Sequence, residues 1–157
     1  MQIGYALISF LHVMAAIVWI GGTIFMAMIS QPAIRKTLSL EQRMAVYREI
    51  GIRFKRVQWI CLGTLLLTGA LMVWETGIPL ESFSSLLWAK LMLVITVTIL
   101  SFLHSNIWGP RLVAVSCDPT SPAYLALARK LRIFGQVNLL ASLAIIFLAV
   151  LIRLNPY

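Results

Sequence analysis

Four long apolar stretches, Ile3–Ile29, Val57–Val73, Leu86–Trp108 and Phe134–Leu154, take up most of this chain. Each holds at least 17 residues with almost no charge, and a helix of that length, rising 1.5 Å per residue, crosses a hydrocarbon core of about 30 Å. Hydrophobic residues make up 61% of the sequence and mean hydropathy is +0.93, far outside the range of a soluble domain. The expected fold class is therefore an all-α integral membrane protein. Short connections favour a four-helix transmembrane bundle in up-down-up-down order. One transmembrane domain covers residues 1–157, with spans at about 3–29, 57–73, 86–108 and 134–154 and basic loops at 30–56 and 109–133. Met1-Gln2-Ile3 carries no basic residue, and the stretch it opens is longer than a signal-peptide core, so this stretch is expected to remain as the first span.

The formal charge of +8 could suggest nucleic acid, but the basic residues are placed as a topology signal. Arg35, Lys36, Arg43, Arg48, Arg53, Lys55 and Arg56 lie between spans one and two, and Arg111, Arg129, Lys130 and Arg132 between spans three and four. Eleven of the thirteen Lys and Arg are thus in two loops, while the remaining loop holds only Glu75 and Glu81. The positive-inside rule puts both basic loops in the cytoplasm and both termini outside, as in a multi-pass protein of the cell inner membrane. Cys61 and Cys117 have no CxxC partner and are 56 residues apart, so no structural disulfide is expected.

Ser39-Leu40-Glu41-Gln42 reads as a capping box, starting a basic helix that runs without a break into span two. Gly109-Pro110 and Asp118-Pro119-Thr120-Ser121-Pro122 break the chain after span three, and a new helix is expected near Ser121 with span four as its second half. Thr76-Gly77-Ile78-Pro79 closes span two. Gly21, Gly22, Gly63 and Gly69 would let helix backbones approach. No sequence repeat of fixed period is visible.

The only two histidines, His12 and His104, fall in spans one and three, and ionisable groups at such depth are functional candidates. These spans run in the same direction, so depths compare directly. With residues 17 and 97 as midpoints, His12 lies about 7–8 Å toward the outer face and His104 about 10 Å toward the inner. An axial gap of roughly 18 Å cannot be bridged by one metal, whose two imidazole bonds are about 2 Å each. At the level of His12 the bundle brings Met92 and Lys90 from span three and Met72 from span two. One imidazole with two thioethers suits Cu(I), and an imidazole–thioether pair suits haem iron; methionines also fill apolar cores. Lys90 could snorkel to the outer surface or pair with a haem propionate or another anion. Trp19, at i+7 from His12, lies on the same helix face. His104 shares its depth with Asn138, Gln136, Gln58 and Thr23, with Met26 or Met28 near: a hydrogen-bonded cluster, a second cofactor site or a proton path. No Walker loop, HExxH, GxSxG or paired intramembrane carboxylates point to hydrolysis or phosphate chemistry.

Leu11-His12-Val13, Trp19-Ile20-Gly21-Gly22 and Gln31-Pro32-Ala33-Ile34-Arg35 resemble the first span of the copper-resistance protein D (CopD) family. The similarity continues through Arg53-Phe54, Leu67-Thr68-Gly69, Trp88-Ala89-Lys90-Leu91, Leu103-His104, Gly109-Pro110-Arg111 and Gly135-Gln136-Val137-Asn138-Leu139. That family is associated with copper uptake or tolerance, and a related four-span group, the oxygen-independent membrane protoporphyrinogen oxidases, binds haem b. The resemblance implies roles for the first-span histidine and the tryptophan at i+7, here His12 and Trp19, and for a lysine early in span three, here Lys90. Four functions follow as expectations. The first is a haem b membrane redox protein with His12 as an axial ligand and Met92 or Met72 opposite, passing electrons between quinone or a partner and an acceptor, as a small subunit of a larger complex. The second is a Cu(I) transporter using His12, Met72 and Met92, with His104 as a relay. The others are a porphyrinogen oxidase and a purely structural subunit.

Overall fold

The computed structural model of the chain describes residues 2–77, 79–115, 118 and 120–154. Met1, Ile78, Cys117 and Pro119, which figure in the sequence reading, lie outside the described residues. Helix α1 (Gln2–Phe25) passes through a π turn, Met26–Ser30, into α2 (Gln31–Thr37); α3 (Leu40–Thr76) follows. A single 3₁₀ turn, Leu80–Ser82, leads to α4 (Ser85–Phe102), a second π turn, Leu103–Trp108, then α5 (Gly109–Ala114) and α6 (Pro122–Leu154). Four helical runs, Ile3–Thr37, Leu40–Glu75, Ser85–Ala114 and Pro122–Leu154, are long and apolar enough to cross a membrane. The protein is a four-helix transmembrane bundle, and no strand occurs among the described residues.

Local chemistry sets the helix ends. Ser39 Oγ accepts from the Gln42 N–H at 3.4 Å while Gln42 Oε1 accepts from the Ser39 N–H at 3.1 Å, a reciprocal cap worth about 1 kcal/mol. Helix α3 then runs 37 residues from the basic end of the bundle to Gly77, whose φ of +63° turns the chain out of the helix at no steric cost. Ser84 caps α4 through the Leu87 N–H, and Ser121 caps α6 through the Tyr124 N–H.

Both π turns have the same cause. The Gln31 N–H donates to the Met26 carbonyl and the Gly109 N–H to the His104 carbonyl, five residues back in each case. Pro32 and Pro110 come next. A proline ring collides with the carbonyl four residues before it, and widening the turn ahead of it moves that carbonyl aside.

The two π turns belong to a larger equivalence of elements, which stands beside the absence of a fixed-period sequence repeat. Helix, π turn, proline-started short helix and long helix occur twice in succession. Pro32 and Pro110 are 78 positions apart, and the same offset pairs buried Trp19 with buried Val97, Thr23 with Ser101, and His12 with Lys90. In the long helices an offset of 80 pairs Phe54 with Phe134, Gln58 with Asn138 and Leu62 with Ser142, again matched in burial almost position by position. The bundle is a duplicated helical hairpin, with α1 packed on α3 in one half and α4 on α6 in the other. Because α1 and α4 point the same way, the pseudo-two-fold axis runs along the bundle, the arrangement of parallel repeats in other membrane folds.

Between the halves, α1 touches α6, and α3 meets α4 through an edge-on Trp59–Phe102 contact with ring centroids 6.1 Å apart. The core is one layer: Ala15, Trp19, Cys61, Leu62 and Val97, surrounded by Trp59, Leu65, Ala141 and Ile145. Most other large apolar side chains, Leu67, Leu140 and Phe147 among them, face outward, where lipid tails replace water as their neighbours and helix association rests on close packing and hydrogen bonds. Of the glycines singled out for close approach, Gly22 and Gly69 have neighbours: a Cβ on Gly22 would lie 2.9 Å from Phe54 Cε2, and one on Gly69 3.5 Å from His12 Cε1. Gly21 and Gly63 face open space.

Candidate functional site

Polar side chains collect at two levels of the bundle, one on each side of the core layer. At the level away from the basic end, His12 Nδ1 stands 2.7 Å from Thr68 Oγ1 across the α1–α3 interface. Thr68 is 5% exposed, and its hydroxyl also lies 2.5 Å from the Thr64 carbonyl oxygen. A carbonyl only accepts, so the single hydroxyl proton of Thr68 goes to Thr64 and its oxygen accepts from His12 Nδ1–H. This assigns the tautomer of neutral His12: the proton is on Nδ1, and Nε2 presents a lone pair. Lys90 is the counterpart of His12 at the same offset in the second hairpin.

The second level, nearer the basic end, is a cavity of about 90 Å3 lined by Thr23, Phe54, Gln58, Ser101, His104, Gly135 and Asn138. All four long helical runs contribute. Ser101 is 1% exposed and donates to Asn138 Oδ1 at 3.4 Å; Thr23 donates back to the Trp19 carbonyl at 2.8 Å. Gln58 is only 9% exposed and borders the cavity, yet its amide makes no hydrogen bond among the described residues. His104, carried in the π turn of the third run, lines the cavity and remains exposed. The cavity therefore has a polar floor at Gln58 and Ser101 and a mouth at His104.

The two levels do not meet. His12 contacts α3 at Thr68 and the cavity contacts it at Gln58, ten residues away, or about 15 Å along the helix. Trp19 lies in the core layer between them, packed with Val97 and Leu62. Met72 is partly buried on the α3 face that carries Thr68, four residues on, whereas Met92 is 55% exposed. Thr23, Gln58 and Asn138 surround the cavity with His104, while Gln136 and Met28 face outward. Thr68 and Ser101 are the partners that sequence reasoning missed. A hydroxyl at the depth of each histidine was the available signal, but small hydroxyl residues are common in membrane helices for packing alone.

A family model described as a domain of unknown function (DUF4149) matches residues 14–118. The chain belongs to this family. The DUF4149 match covers Trp19, Thr68, Lys90 and His104, with His12 two residues ahead of it and the α6 wall of the cavity beyond it. An uncharacterized protein of Aquifex aeolicus (strain VF5) is 28% identical over 154 residues, 95% of each chain. No solved structure matches.

Proposed function

We propose that this chain is a haem b-binding redox protein of the cell inner membrane, with both termini outside, passing electrons between quinone or a partner subunit and an acceptor. The observation that carries the reading is the His12–Thr68 bond: an imidazole whose Nδ1 proton is engaged offers Nε2 to a metal, and such an outer hydrogen bond orients a ligating histidine and raises its basicity. Gly69 faces the Cε1 edge of the ring. Among the described residues no three His, Cys, Asp or Glu converge, so a metal at His12 draws its other donors from thioether sulfur or from a cofactor. If a haem is bound here, His12 and Met72 would hold it, since Met72 lies on the Thr68 face whereas Met92 faces outward. Lys90 fits as the cation for a propionate. A bound haem would supply reversible one-electron transfer; the chain's own part is to orient Nε2, place the Lys90 charge and exclude water behind the Trp19 layer. The resemblance to the copper-resistance protein D family and to membrane protoporphyrinogen oxidases supports a cofactor at this level.

The donor set His12 Nε2 with Met72 is also soft enough for Cu(I), which makes copper passage the second reading. A reduced-minus-oxidised visible spectrum of the purified protein, with iron and copper quantified on the same sample, separates the two. The haem reading expects a b-type band with about one iron per chain, lost in His12→Ala while the variant still folds. Copper without a chromophore supports the second reading. A folded His12→Ala protein that keeps its iron and copper overturns both.

A further inference from the structure

We infer that the cavity between the two hairpins is a binding site for the dicarbonyl ring of a membrane quinone. The proposal rests on the redox reading only for its physiological sense; the site is argued from the cavity itself. Its lining carries no charged side chain, so an ion would be left uncompensated in a low-dielectric setting and the ligand is neutral. Part of its hydrogen-bonding capacity is unspent. Gln58 has no hydrogen-bond partner among the described residues, and its amide is not sealed off from the cavity it lines.

The free capacity includes donors on two amides, beside acceptor oxygens of Gln58, Thr23 and Ser101. Asn138 has its Oδ1 engaged by Ser101, which leaves its NH2 free; the Thr23 and Ser101 hydroxyl protons are already committed. The NH2 groups of Gln58 and Asn138 and one N–H of His104 remain. A ligand that accepts hydrogen bonds can therefore be held by both amides.

Symmetry narrows the class further. Gln58 and Asn138 are counterparts under the pseudo-two-fold, so their amides approach the axis from opposite helices. A quinone ring places two carbonyl oxygens on opposite edges, and one ring centred on the axis would accept from both amides at once. Phe54 offers an aromatic surface beside it. The cavity, about 90 Å3 and open on one side, is on the scale of a single ring, and the mouth at His104 lets substituents and tail leave toward lipid. The Trp19–Val97 layer seals the far side, so the ligand enters laterally and does not pass through.

The test is binding of a short-tailed benzoquinone to the full chain in lipid nanodiscs, read by quenching of tryptophan fluorescence; Trp19, Trp59 and Trp108 all lie in the bundle near the cavity. Saturable quenching is expected in the wild type. Gln58→Met, similar in size but without donors, and Asn138→Leu should each weaken it at least tenfold while melting within a few degrees of the wild type. Gln136→Leu, on the outer face, should not change it. His12→Ala should lose any haem yet keep quinone binding, so failure of the haem reading leaves this result readable. Non-saturable quenching in the wild type, or equal affinity in both cavity variants, overturns the proposal.

Discussion

His12 and Thr68 form a pair whose roles are fixed by one shared proton count. If the Thr68 hydroxyl sets the imidazole, Thr68→Val keeps the shape of the side chain but leaves His12 Nδ1–H without an acceptor. Haem retention should then fall about 10- to 100-fold, the usual cost of losing an outer hydrogen bond to a ligating histidine, as measured by haem titration into the apo form. A second residue prediction concerns the loop before α6. The Asp118 carboxylate accepts from the Thr120 hydroxyl at 2.6 Å and the Thr120 N–H at 3.0 Å, and these bonds, the hydroxyl first, hold its carboxyl below the ordinary aspartate range. A depressed folded value means that the interaction supports the loop at neutral pH and is lost only as pH falls through that lowered value. Thr120→Ala should return Asp118 toward the ordinary range in a carboxyl-carbon NMR titration. The sequence exposed His12 as an isolated ionisable group in an apolar span, but the identity of its partner depends on how α1 rotates against α3.

Each π turn sits where a proline would otherwise strain the helix, and the second one also carries His104. A Cβ at Gly109 would lie 3.1 Å from the His104 carbonyl oxygen, the acceptor of the π-turn bond. Gly109→Ala should therefore cost about 1–2 kcal/mol by crowding, seen as a lowered melting temperature in detergent. Gly21→Ala faces open space and should leave the melt unchanged or raise it, since alanine is the better helix former. The capping box at Ser39, the helix start at Ser121 and the stop at Gly77 were all legible in the sequence, because each is decided by residues within one turn. The π turns were not, although the Gln31-Pro32 and Gly109-Pro110 dipeptides marked their places. Proline can break, kink or widen a helix, and the choice depends on what packs against the bend.

In the whole molecule, the charge asymmetry predicts orientation. Alkaline phosphatase fused after α6 should be active and a green fluorescent protein fused there dark, with the reverse in the segment between α2 and α3; the opposite pattern would invert the proposed topology. The alternation of apolar spans with two basic loops was enough to determine the number of spans, the fold class and this expected orientation, since lipid thickness and membrane charge rules act on local sequence. The duplication was hidden because many paired positions share burial class but not residue type, as Trp19 and Val97, His12 and Lys90, or Leu62 and Ser142 do. A bundle in lipid asks of most positions only that they be apolar outside and fit inside, so two halves can diverge in sequence while keeping one packing pattern. Thus the sequence by itself determined that the chain crosses the membrane four times and that its two histidines lie at different levels of the bundle. Only the tertiary structure decided what each of them meets, that His12 turns to Thr68 and His104 to a cavity on the pseudo-two-fold, because helix rotation and pairing are set by side-chain packing between segments far apart in the chain.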